Sequence, residues 1–201
     1  MKRVAPDKAA KEFMELLEVA CSSVDRLWFN LPVADIGGAA GVTAYRERVY
    51  CYELYHQLRL LTAPPGGQVD GSPHYTLSGE IDKAGLNAMT LGGKHKPDLV
   101  WHVPGDSRHN AVVVEVKAAY RWSRRGVVKD LETLSTFLSV PGRFYRRGVL
   151  LVFGRTYQER LRDRVGRAAD AANADRGALK RAHIWWHPHA GERPIDLGPV
   201  T

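Results

Sequence analysis

The chain predicts an α/β fold, a mixed central sheet flanked by helices, and three features carry that expectation. A valine-rich run, Ala111 to Lys117, and an apolar run, Gly148 to Phe153 (GVLLVF), read as strands. Long segments with apolar residues at three- and four-residue spacing read as amphipathic helices on both sides of these strands in sequence. The continuous apolar character of 148–153 argues for burial on both faces, as in an interior strand covered by helices.

The elements follow in order. Residues 7–29 form one helix, with Phe13, Leu16, Leu17, Ala20, Cys21, Val24, Leu27 and Trp28 as its apolar stripe and Asp7, after Pro6, as its N-cap. Residues 30–43 (NLPVADIGGAAGVT) are a loop by their Pro and Gly content, and Thr43 is placed to cap the next helix. That helix, 44 to about 61, carries Tyr50, Leu54, Leu58 and Leu61 on its core side. Pro64 to Pro73 is a turn, and His74 to Asp82 alternates as a strand, with Tyr75, Leu77, Gly79 and Ile81 on one face and Glu80 on the other. An irregular connection, 84–96, ends in Lys94-His95-Lys96.

Asp98 to Val103 and Ala111 to Lys117 are two strands separated by Pro104 to Asn110, a stretch of residues that turns select, so a hairpin is expected. Side-chain alternation puts Val113, Glu115 and Lys117 on one face and Val112, Val114 and Val116 on the other. Burying a carboxylate and an ammonium beside a core costs several kcal/mol unless they are paired or hold a cation. With the hairpin centred near Ser107, Asp98 falls opposite the Glu115/Lys117 end of its partner strand. Two carboxylates and a lysine then converge, a site suited to a hard cation.

Beyond Lys117, Tyr120-Arg121-Trp122-Ser123-Arg124-Arg125 interleaves arginines with aromatic rings. This is the pattern of a surface that tracks a nucleic-acid backbone, and equally that of a solvated loop. A helix over 128–138 buries Leu131, Leu134, Phe137 and Leu138, with Lys129 at its start, where a phosphate would meet helix N–H groups. After the 148–153 strand, residues 155 to about 181 form a basic helical segment interrupted near Gly166 or Gly177, Ala182 to His187 is a last strand, and Ala190 onward a Pro/Gly tail.

Pro97-Asp98, a hairpin, and Glu115-Val116-Lys117 resemble the signature of the PD-(D/E)XK nuclease superfamily, the restriction-endonuclease-like fold. The resemblance implies an αβββαβ core over residues 44–187, with an added N-terminal helix and loop (1–43) and a tail (188–201), all in one domain. It implies that Asp98 and Glu115 bind Mg²⁺, for which Mn²⁺ substitutes, with the Val116 carbonyl as a further ligand, and that Lys117 positions the attacking water. It also implies a carboxylate from the helix before the first core strand. Glu53 matches that place best and Glu47 less well, although Glu53 is equally placed to pair with Arg46 or Arg59. Glu80 is an accessory metal or water ligand, or simply the exposed face of its strand. Lys96, Arg121, Trp122, Arg124, Arg125 and Lys129 are the candidate nucleic-acid contacts.

The net charge of +7 favours a polyanionic partner, nucleic acid ahead of a membrane surface. No apolar run approaches the ~20 residues that cross a bilayer, and the N-terminus lacks a signal peptide's apolar centre, so a cytoplasmic protein is expected. Cys21 and Cys51 read as small core residues. The expected activity is Mg²⁺-dependent hydrolysis of phosphodiester bonds, with DNA favoured, in a setting such as bacterial defence or DNA processing. Cutting a duplex takes two sites or two visits, so a homodimer, or a partner protein that supplies specificity, is expected. The rival is a non-catalytic nucleic-acid-binding or assembly subunit on the same fold. A metal enzyme built on His74, His95, His102 and His109 lacks the spacing of a zinc site, and no serine has the glycine pattern of a nucleophile elbow.

Overall fold

The computed structural model describes residues 4–32, 43–62, 74–79, 96–120, 122–142 and 144–201. Helix α1 spans Pro6–Ser22, with Ala5 rather than Asp7 as its N-cap. Proline at the first helical position loses no hydrogen bond, and Asp7 then sits in the first turn, where its charge complements the helix dipole. The helix stops short of residue 29. Ser22 and Ser23 hydroxyls both donate to the Val19 carbonyl (2.8 and 2.9 Å), side-chain competition that ends regular helix. Asp25 then caps a separate turn, α2 (Arg26–Phe29), by accepting from Leu27 N (2.8 Å).

Strands β1 (Leu31–Pro32) and β2 (Thr43–Ala44) pair antiparallel, so Thr43 belongs to a short bridge and not to a helix cap. Helix α3 (Glu47–Thr62) follows, burying Tyr50, Cys51, Leu54 and Leu58, while Leu61 stays exposed. Strands β3 (Thr76–Gly79), β4 (Leu99–His102) and β5 (Asn110–Ala118) form an antiparallel meander. Helix α4 (Arg124–Ser139) leads to β6 (Arg147–Phe153), which runs parallel to β5. Helix α5 (Gln158–Ala171) and the turn α6 (Arg176–Leu179) lead to β7 (Ala182–His187), parallel to β6. The break falls at Ala172–Asp175, where Asp175 accepts from Gly177 N and Ala178 N; Gly166 lies inside α5.

The six strands β3 to β8 lie in chain order in one mixed sheet. The sixth, β8 (Ile195–Pro199), pairs antiparallel with β7, so the expected Pro/Gly tail is a strand. Its edge position explains why the composition hid it, because an edge strand tolerates proline and a Gly198 at φ +91°. Leu197 and Val200 are buried all the same.

Helices α1 and α3 cover one face of the sheet, with Phe13, Leu17, Tyr50, Leu54, Val112, Val114 and Val116 in one core. Helices α4, α5 and α6 cover the other, with Val100, Val113, Leu131, Leu134, Leu150 and Leu161 in a second. Both parallel crossovers therefore lie on the same face, as two successive steps of one hand require. Cys21 and Cys51 are free thiols buried in the first core. Among the described residues, no helix is long and apolar enough to cross a membrane.

Candidate active site

The hairpin sets the site. Leu99 pairs with Val114 and Val100 with Val113, which centres the hairpin at Asp106–Ser107 and puts Asp98 one step past the last pair, across from Glu115. The Asp98 carboxylate reaches over that end of the ladder, and Oδ2 accepts from Val116 N at 2.8 Å. Glu115 is 5% exposed, buried on the face that α4 covers. Strand alternation brings Lys117 out on the same face, one residue from the strand's end.

Lys117 is the hub. Its Nζ lies 3.0 Å from Asp130 Oδ2 and 3.1 Å from Glu47 Oε1, with the lysine side chain 13% exposed. Asp130 comes from α4 on one face of the sheet, and Glu47 from the first turn of α3 on the other. The second oxygen of Glu47 accepts from Ala118 N at 3.3 Å, so this carboxylate caps the end of β5 while it holds the ammonium.

The electrostatics follow from that crowding. Burial opposes the charge on Lys117, but Asp130 and Glu47 outweigh it and hold the ammonium protonated well above the ordinary lysine range. Burial raises the Asp130 carboxyl to about 6; Lys117 pulls it down, and the charges of Glu47 and Asp98 push it back up. Glu47 and Asp130 thus share one ammonium, with the charge of Asp98 close enough to act on Asp130.

The helix carboxylate at the lysine is Glu47. Glu53 accepts from Gln57 Nε2 at 2.7 Å, one turn further along α3. The geometry accounts for the difference. Helix α3 packs on the face opposite Glu115 and Lys117, so only its first turn overhangs the strand end, and Glu53 lies about 9 Å further along the axis. Glu80 and Arg121 lie outside the described residues, as do Lys94 and His95. Asp130 is a site residue that the sequence motif does not name. Its signal was its place in the stripe Val127, Asp130, Leu131, Leu134, a charge at core spacing.

The basic segment differs from expectation in two respects. Trp122 is buried at 9% exposure in the second core, with the Arg164 guanidinium 4.5 Å over its ring, so its face is closed to a nucleobase. Helix α4 begins at Arg124, capped by Ser123, which puts Arg124 and Arg125 in the first turn and Lys129 in the second, away from the helix N-terminus. Arg124 donates to the Arg167 carbonyl (3.3 Å); Arg125, Lys129 and Lys96 are exposed. His102 bonds Ser78 Oγ and His109 bonds Asp106 Oδ2, each at 3.0 Å, in separate places.

Among the described residues, no three His, Cys, Asp or Glu side chains gather into a complete metal cage. Mg²⁺ does not require one, since it commonly takes one or two carboxylates and completes its shell with waters and substrate oxygens. Asp98, Glu115 and the Val116 carbonyl are donors of that kind, brought to one end of the hairpin by its register. Comparison with family models, curated proteins and solved structures finds no match to this chain.

Proposed function

We propose that the protein is a Mg²⁺-dependent nuclease on a restriction-endonuclease-like core, hydrolysing phosphodiester bonds with DNA as the favoured substrate. The observation that carries this reading is the arrival of Asp98, Glu115 and a half-buried Lys117, held by two carboxylates, at the end of one strand. The meander β3-β4-β5 followed by a helical crossover to a parallel strand accords with the core that the motif implies.

Asp98, Glu115 and the Val116 carbonyl would hold the ion, which when bound polarises a phosphate and lowers the pKa of its water. The chain's own residues do the rest. Lys117 stays charged, so it serves as a fixed cation that orients water and meets negative charge developing on the phosphate. Glu47 and Asp130 are positioning residues: one from each helical layer, they fix the ammonium over the strand end. The Val116 N–H fixes the Asp98 rotamer. Holding these groups on a strand and two packed helices avoids reorganisation when charge develops.

Incubation with supercoiled plasmid, linear duplex and single strands, in Mg²⁺, Mn²⁺ or EDTA, tests the proposal. Metal-dependent cutting should be lost in Asp98→Ala and in Lys117→Ala. One observation favours a second reading, a non-catalytic nucleic-acid-binding or assembly subunit: both partners of Lys117 and one oxygen of Asp98 are already engaged within the protein. Salt-sensitive DNA binding without cutting under any metal would select that reading over the first.

A further inference from the structure

The opposite pole of the sheet carries a second charged feature. In the register of β6 and β7, Gly148 pairs with Ala182, so Arg147 and Arg181 lie side by side one step before it, preceded by Arg146 and Lys180. Four cations thus lead two adjacent strands into the sheet. Phe144 braces two of them, with the Arg146 guanidinium carbon 4.6 Å and that of Arg181 4.9 Å from its ring centroid. Arg146 N donates to the Ala111 carbonyl (2.9 Å), and an Arg181 Nη2 N–H donates to the Leu138 carbonyl, which ties both residues to the frame.

None of the four is ion-paired with a carboxylate among the described residues. Two arginines of α5 and α6 differ: Arg167 pairs with Asp163 and Arg176 with Asp170, each at 2.6 Å. The nearby Asp106 is engaged by Arg108 and His109. Arg146 Nε and Tyr75 Oη are shielded from solvent without hydrogen-bond partners among the described residues, close enough for the Arg146 charge to act on the Tyr75 hydroxyl.

We propose that this pole, Arg146, Arg147, Lys180 and Arg181 around Phe144, is a second phosphate-binding surface, separate from the carboxylate site, that takes a nucleic-acid backbone. Guanidiniums braced on a ring keep their forks aligned for phosphate oxygens at little entropic cost. Four cations spread over two strands match a polyanion rather than a single small anion. Val112 stands beside Arg147 in β5, five residues before Lys117, so the two sites are about 16 Å apart along the strand. That is about five base-pair steps of duplex. Its use as an anchor for a substrate rests on the nuclease reading; its binding of nucleic acid does not.

The test is fluorescence anisotropy of a labelled 20-base-pair duplex with the full chain in EDTA, across a salt series. Arg147→Gln/Lys180→Gln removes two exposed charges that touch no core group, and Arg146→Gln/Arg181→Gln removes the braced pair. Each double variant should bind at least fivefold more weakly, with the slope of log affinity against log salt reduced by about 2. Unchanged affinity and slope in Arg147→Gln/Lys180→Gln would overturn the proposal. Plasmid cutting by the wild type is read separately. Weakened binding in the variants with no wild-type cutting keeps this surface and removes the nuclease; cutting with unaltered variant binding does the reverse.

Discussion

Replacing Lys117 with Met tests the electrostatic core of the site without touching a metal ligand. The lysine is 13% exposed and meets Asp130 at 3.0 Å and Glu47 at 3.1 Å. Removing one member of a buried ion pair typically costs about 3–5 kcal/mol, because the partner charge is left without compensation. Asp130 has an escape. Its carboxyl is already raised to about 6, and without the ammonium it rises further, so at low enough pH it takes a proton and the penalty falls. A raised folded-state pKa favours the folded protein below the ordinary aspartate range, and that contribution is lost as pH rises through the raised value. Below pH 6 Asp130 is protonated in both proteins; above it the variant loses more than the wild type, by up to about 1.4 kcal/mol per unit between the two midpoints. Urea unfolding at pH 8 should show a destabilisation of about 3 kcal/mol, and at pH 5 distinctly less. Equal losses at the two pH values would refute the reasoning, since a packing defect does not titrate.

Two further outcomes are expected. His187 is fully buried with Tyr50 Oη 2.8 Å from its Nδ1, and burial lowers its pKa to about 4. Its contribution to stability is complete above pH 6.5 and is lost as pH falls toward 4, so the stability gap between wild type and His187→Gln should shrink by roughly 3 kcal/mol over that window in urea titrations. A constant gap would show that the imidazole is not held neutral. Gly154 has φ +102°, and a Cβ there would meet the Tyr45 ring at 3.2 Å. Gly154→Ala should lose about 1–3 kcal/mol by thermal or urea unfolding, and a wild-type midpoint would contradict that strain.

The candidate site was legible where one strand's alternation governs it. Glu115 and Lys117 two residues apart, and Asp98 at hairpin distance, are placed by a period of two and one turn, both local properties. The choice between Glu47 and Glu53 was not local. Both lie on the same helix, and which one overhangs the strand end depends on where α3 docks along the sheet. Trp122 misled because an aromatic among arginines has one composition whether the ring faces solvent or, as here, packs under Arg164.

By itself, the sequence determined the alternation of strands and helices, the hairpin and its centre, and the two faces of β5, because each follows from side-chain periodicity and turn chemistry within a few residues. Only the tertiary structure decided that Asp130 and Glu47 arrive from opposite helical layers to hold one ammonium, that the last five-residue strand joins the sheet edge, and that four cations gather at the far pole with no carboxylate paired to them among the described residues. Those are meetings of residues tens of positions apart. Packing of whole elements sets them, and no local pattern encodes where two packed surfaces come to rest.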